Sequence, residues 1–296
     1  MPRPSSQDKK LAPLRADVRF LGELLGQVLI HQEGRAFFSM EERIRKLAIT
    51  IRRGGARRND AAFARLLFSL PLPTAEKIIR AFSVYFQLVN IAEENHRVRR
   101  KRYYDSLPGF HPQRGSIEDV VHRLHAAKIP HELLVKRAPE LAVTLVLTAH
   151  PTQALPPTIL TKHRAIWDLL MQRQLINPVP KEERDASREL LEHIMSLWQT
   201  EELRSSRPTV HDEIEQGIYY LSSVLYDALP DVILAFCREV ERVYLPAGRH
   251  GGRAIPPTSL MRFGSWIGGD KDGNPNVTHE SLRWALLRYR QAILAN

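Results

Sequence analysis

The sequence predicts a mostly α-helical chain that carries a few short parallel strands, and three observations predict it. Apolar residues recur at three and four positions through most of the length. One run, Val143-Thr-Leu-Val-Leu-Thr-Ala-His-Pro-Thr-Gln153, is too short and too β-rich for a helix. A second strand candidate begins near Leu260 and passes into a glycine-rich turn, Gly268–Gly273.

The first fifteen or so positions read as a disordered arm, residues 1–15, ahead of an amino-terminal helical region over 16–140. From Ala16, Val18, Leu21, Leu25 and Val28 form a helical stripe that Gly34 ends. A helix over Met40–Arg53 follows, then one capped by Asn59 and stopped by Pro71. Thr74 opens a long helix with Ile78, Phe82, Tyr85, Phe86 and Val89 as its buried face, running into the basic segment Arg97–Arg102. Glu93 and Glu94 precede those cations at helical spacing, the pattern of a solvated face, and no nucleic-acid motif accompanies them. Ser116 caps a helix bearing His122 and His125 one turn apart, without further ligands at a familiar metal spacing. Pro130 begins a short helix before the strand.

The third region, 141–296, opens with a buried strand over Leu141–Thr148. Pro151 disfavours the α region for His150, which holds the imidazole extended at the strand's carboxyl end, where parallel α/β folds place their chemistry. By itself, such a histidine is more often a hydrogen-bonded structural residue than a catalyst. Pro156 and Pro157 fit only the first turn of the next helix, which buries Ile159, Ile166, Leu169 and Leu170. A helix over Lys181–Leu203, one capped by Thr209, and another started by Pro230-Asp231 precede the second strand. In the turn after it, the P-loop spacing fails because Asp270 intervenes before Lys271, and an EF-hand fails because Pro275 stands where glycine is needed. Two readings remain: a self-satisfied turn, or one whose glycines let a ligand approach the backbone beside Lys271.

Composition sets wider bounds. The 296 residues carry a formal charge of +10, which favours anionic partners without choosing among them. No apolar run approaches a bilayer span, no secretory leader is apparent, and the cytoplasm is the expected compartment. Cys237, the single cysteine, reads as a small buried hydrophobe.

Thr148-Ala-His-Pro-Thr-Gln153 and Phe263-Gly-Ser-Trp-Ile-Gly-Gly-Asp-Lys-Asp-Gly-Asn-Pro-Asn-Val-Thr278 resemble two amino-terminal signatures of phosphoenolpyruvate carboxylase. Asp17–Val28, Leu88–Arg100 and Leu197–Thr209 are similar to family segments in the same order, so the resemblance covers nearly the whole chain but only the amino-terminal part of a member. It implies an incomplete (β/α)₈ barrel, its first two strands wrapped by many helices. The implied reaction joins bicarbonate to phosphoenolpyruvate, giving oxaloacetate and phosphate for the tricarboxylic acid cycle, with Mg²⁺ or Mn²⁺ and without biotin. The resemblance makes His150 the base that takes the carboxyphosphate proton, and Thr152 and Lys271 anion contacts. It places the metal carboxylates, and so any metal site, outside this chain. Lys271 stands where the family commonly has arginine, and Pro156-Pro157 replaces two arginines, which removes bidentate grips on a phosphorylated acid. The expected partners are phosphoenolpyruvate and bicarbonate, a homo-oligomer in a complete enzyme, and a second chain supplying the rest of the barrel if the gene is split. The alternative is a non-catalytic helical protein that binds an acidic partner or RNA.

Overall fold

A computed structural model describes residues 6–54, 57–107, 109, 112–148, 155–175, 179–200, 209–245 and 260–295. In chain order the elements are α1 (Ser6–Glu33), α2 (Arg35–Arg52), α3 (Arg57–Phe68), α4 (Leu72–Asp105), α5 (Ile117–Ala126), α6 (His131–Arg137), β1 (Val143–Leu147), α7 (Pro157–Leu175), α8 (Pro180–Gln199), α9 (Val210–Tyr220), α10 (Tyr226–Tyr244), β2 (Met261–Ser265) and α11 (His279–Ala295). A mostly helical chain with two short parallel strands is therefore what forms among the described residues.

The chain separates into two compact units, and the division does not fall at residue 140. Unit 1 comprises Met1–Arg100 with Thr158–Glu202; unit 2 comprises Lys101–Pro157 with Leu203–Asn296. Helices α7 and α8 follow the first strand in sequence yet belong to the same unit as the amino-terminal helices, with α8 packed on α1.

In unit 1, α1 starts at Ser6 and not at Ala16, which corrects the disordered arm over 1–15 for all but the residues outside the described range. Leu11 and Leu14 extend the stripe of Val18, Leu21, Leu25 and Val28 backwards at the same spacing, and Pro13 is accommodated inside the helix. Ile159, Ile166, Leu169 and Leu170 of α7, with Leu190, Ile194, Leu197 and Trp198 of α8, are buried as their periodicity requires. The long helix α4 turns a different face inward from the one expected. Ala81, Val84, Leu88, Ile91 and Ala92 are buried with Ile78, whereas Phe86 is 60% exposed. The aliphatic and small residues at three- and four-residue steps define that seam, and the larger aromatic rings sit at its margin. Asn59 lies within α3 and does not cap it.

Unit 2 is built around the sheet. Ser116 caps α5 by accepting from the Asp119 amide, and Thr209 and Asp212 form a reciprocal capping box on α9. A π-turn over Leu221–Leu225 joins α9 to α10, so Pro230 lies within a helix instead of starting one. The resulting continuous run, Val210–Tyr244, is long and apolar enough to cross a bilayer on length and composition alone, contrary to the sequence expectation. Asp227 and Asp231 sit near its middle, where each would cost about 2.5–3.5 kcal/mol in a membrane. Cys237 is only partly buried, packed beside Val121, Ala138 and Val240.

Strands β1 and β2 pair in parallel, Val143 opposite Met261 through Leu147 opposite Ser265. The strand expected over Leu141–Thr148 is present, but it is not buried. Val143 is 51% exposed and Val146 46% exposed. A two-stranded sheet has two open edges, and among the described residues little covers the faces of β1.

Candidate functional site at the carboxyl end of the sheet

Because the strands run parallel and in register, the segments that follow Leu147 and Ser265 leave the same end of the sheet. The register persists one step past β2, where the Trp266 amide donates to the Leu147 carbonyl at 2.8 Å. His150 and Thr152 lie outside the described residues.

The glycine-rich turn is well tied. The amides of Gly269 and Asp270 both donate to the Trp266 carbonyl at 3.0 Å, and the Gly273 amide donates to Asp270 Oδ1 at 3.0 Å. Asn274 Oδ1 accepts from the Asn276 amide at 3.0 Å, and Thr278 and Ser281 exchange bonds at the start of α11. Asp and Asn side chains thus bond their own backbone, one of the two readings the sequence left open.

Gly268 has a different role from the one its position suggests. Its φ is +78°, and a Cβ there would fall 2.6 Å from Ile214 Cδ1 and 3.1 Å from Ala285 Cβ. The glycine lets the turn press onto α9 and α11, with Ile267 and Val277 buried against Val210, Ile214 and Ile218. A Cβ at Gly273 would meet Asp270 Oδ2 at 2.7 Å, so this glycine serves the turn's internal bond. Gly268, buried in this contact, is not left open for ligand approach.

Three further side chains hold the platform. Ser265 Oγ accepts from the Ile267 amide at 3.1 Å and shares a hydrogen bond with Tyr289 Oη at 2.9 Å. Tyr289 also donates to the Ile267 carbonyl at 3.1 Å, and burial pushes its phenol pKa up. Glu213 is buried with its pKa raised, first by desolvation, while a hydrogen bond with Asn274 opposes the rise. Sequence periodicity missed these residues. The usable signal was an acidic group, Glu213, among the apolar positions of a well-capped helix.

Against that fixed frame Lys271 is exposed and has no hydrogen bond or ion pair among the described residues. Asp272 and Gly273 beside it are exposed as well. The turn therefore presents a solvated ammonium on a rigid base, suited to meeting an anion. A cleft of about 590 Å³ is lined by Thr209, His211, Asn274, Thr278 and Trp284, where His211 stacks edge-on against Trp284 at 4.3 Å.

No cluster of three or more His, Cys, Asp or Glu suited to a metal ion exists among the described residues. Asp270 spends its carboxylate on the Gly273 amide, and His122 contacts Glu239 at 3.3 Å and Arg242 at 2.9 Å. The donor sets present do not fit Mg²⁺ or Mn²⁺.

Comparison with known proteins gives a consistent set of matches. Residues 14–296 match the family model described as phosphoenolpyruvate carboxylase. A phosphoenolpyruvate carboxylase of Ralstonia nicotianae is 38% identical over 283 residues, covering 95% of this chain and 28% of the relative. One of Roseiflexus castenholzii is 38% identical over 290 residues, covering 95% of this chain and 29% of the relative. One of Azorhizobium caulinodans is 35% identical over 283 residues, covering 96% and 30%. The chain thus spans about three-tenths of the length of the curated relatives it matches.

Proposed function

The chain belongs to the phosphoenolpyruvate carboxylase family, and we propose that it supplies the first two strands of that family's barrel and part of its catalytic rim. The reaction proposed for the completed assembly joins bicarbonate and phosphoenolpyruvate to give oxaloacetate and phosphate. One observation carries the reading: two adjacent parallel strands end side by side at Leu147 and Ser265, shortly before His150 and Lys271 in the sequence. That is the end at which barrel enzymes gather catalytic loops.

In the proposed sequence bicarbonate attacks the phosphoryl group, leaving carboxyphosphate and the enolate of pyruvate. The His150 imidazole removes the carboxyphosphate proton, the carbon–oxygen bond breaks to give carbon dioxide and phosphate, and the enolate carbon attacks the carbon dioxide. An imidazole titrating near neutrality suits that single proton transfer. Lys271, exposed and unpaired among the described residues, is proposed to hold an anionic oxygen, with Thr152 as a further contact. A divalent ion would stabilise developing charge on the enolate oxygen, and its ligands are proposed to come from elsewhere in the assembly, because the described residues do not fit one.

The exposed strand supports the same reading. Val143, Leu145 and Val146 point to both faces of β1 and all are about half exposed. A strand apolar on both faces is the pattern of a parallel strand covered on both sides, and further strands of the family's barrel would cover it. The compartment proposed is the cytoplasm.

A malate dehydrogenase-coupled assay tests the proposal. The 296-residue chain alone should give no oxidation of NADH. Co-expression with the part of the Ralstonia relative that lies beyond the matched region should restore turnover, and His150→Asn should remove it. Turnover by the chain alone would refute the need for a completing segment; unaffected turnover in the His150→Asn assembly would refute the proposed base.

A further inference from the structure

Unit 1 contains a cleft of about 890 Å³ between α1, α2 and the Tyr85 turn of α4, far from the sheet in sequence and independent of the reaction proposed above. Its size is within the range that holds small organic molecules. Leu25, Leu29, Phe38 and Tyr85 give it apolar walls. Gly26 on α1 lets the Phe38 ring lie close to the helix backbone, since a Cβ there would stand 3.0 Å from it, whereas one at Gly22 would make ordinary contact with Tyr85 at 3.5 Å.

One buried acid lines the cleft without a hydrogen bond from the described residues. Glu41 is 7% exposed, lines the cleft, and accepts no hydrogen bond among the described residues. Its neighbour Glu42 is taken by Arg45, at 2.6 and 3.0 Å, and by Lys46 at 3.4 Å. The titratable groups that line the cleft with Glu41 are Arg15, Arg19 and Glu23 on the exposed rim of α1, Glu42 and Arg45 on α2, and Tyr85 on α4. Burial, and then the charge of Glu42, raise the Glu41 pKa to about 7, while Arg45 opposes them. A buried acid in an aromatic-walled cleft costs stability unless something meets it.

We propose that this cleft binds a primary amine carried on an apolar or aromatic body, with the ammonium on Glu41 and the body between Phe38 and Tyr85. An ammonium supplies both things the carboxylate lacks, hydrogen-bond donors and an opposite charge, and charge-assisted bonds are roughly twice as strong as neutral ones. The ring faces of Phe38 and Tyr85 add attraction for the same cation. An anionic ligand would instead approach two carboxylates, with the rim arginines screened by water. Because the amine engages the ionised acid, binding below neutrality must expel the Glu41 proton.

Calorimetric titration of the 296-residue chain with phenethylamine, and with phenethyl alcohol as its neutral counterpart, tests this. The amine should bind more tightly than the alcohol, gain about tenfold in affinity from pH 5.5 to 6.5, and release close to one proton in buffers of different ionisation heat. Glu41→Gln, checked for folding by its thermal melt, should abolish the preference for the amine and the proton release. No amine binding at several millimolar, equal binding of the alcohol, or pH-independent affinity in the unmodified chain would overturn the proposal, and so would amine preference that survives in Glu41→Gln. The first three readouts require no variant.

Discussion

Replacing Gly268 by alanine tests whether packing or ligand access fixed that residue. An alanine forced to φ +78° pays a conformational cost of about 1–2 kcal/mol. The new methyl would also lie 2.6 Å from Ile214 Cδ1, 2.7 Å from its Cγ1 and 3.1 Å from Ala285 Cβ. Relieving such overpacking costs about 1–3 kcal/mol, so the total expected is about 2–5 kcal/mol. Urea denaturation followed by the fluorescence of Trp266 and Trp284, both in unit 2, measures it directly. A double-mutant cycle separates the two contributions. Ile214→Ala alone should cost about 2–5 kcal/mol through its cavity, but it removes the atoms that the new methyl strikes. The pair should therefore be less destabilised than the two single changes predict together, by about 1–2 kcal/mol. A loss below about 1 kcal/mol in Gly268→Ala, or strict additivity in the cycle, would refute the claim that the glycine exists to seat the turn on α9.

The other predictions concern charge. Glu41 has a folded pKa of about 7 against an ordinary value of 4.5, so the folded chain holds a proton that the unfolded chain releases. Stability is then fully present below about pH 4.5 and falls as pH rises toward and through 7, by roughly 1–2 kcal/mol once water in the cleft is allowed for. Urea midpoints from pH 4.5 to 8 should show that decline in the unmodified chain and not in Glu41→Gln; parallel profiles would count against it. Asp17→Asn should lose about 1.5–3 kcal/mol in chemical denaturation, because Asp17 is 8% exposed and accepts a 2.5 Å charged bond from Arg99. Lys271→Ala should leave stability within about 0.5 kcal/mol, since the side chain is exposed and unpaired among the described residues, yet raise KM for phosphoenolpyruvate in a reconstituted assembly. A large loss of stability would assign Lys271 a structural role instead.

Some of this was legible in the sequence because a local signal and its structural consequence coincide. Ser116 and Thr209 sit where capping chemistry alone selects them, and the inward faces of α7 and α8 follow from spacing. The buried face of α4 is aliphatic and small, whereas the expected one held three aromatic residues. A seam of Ala81, Val84, Leu88 and Ala92 lets neighbouring helices approach more closely than Phe86 would. The fusion of α9 to α10 was hidden by Pro230: proline is a reliable breaker only where the backbone cannot rearrange, and the π-turn over Leu221–Leu225 shows that it does so nearby.

The functional residues divide along the same line. Lys271 could be singled out because an ammonium between two aspartates in a glycine-rich turn is visible as a string, and its exposure is a property of that string. Tyr289 and Glu41 could not, because each matters through residues distant in sequence: Ser265 and the Ile267 carbonyl for Tyr289, Phe38 and Gly26 for Glu41, while Glu213 shows only as an acid among the apolar positions of its helix. A carboxylate in a helical stripe reads as a surface group until the helix facing it is known. Whether Glu41 is a mispacked acid or a receptor for an ammonium depends on the empty volume beside it. Composition carries no trace of that volume, since Gly26 helps to shape it by what it lacks.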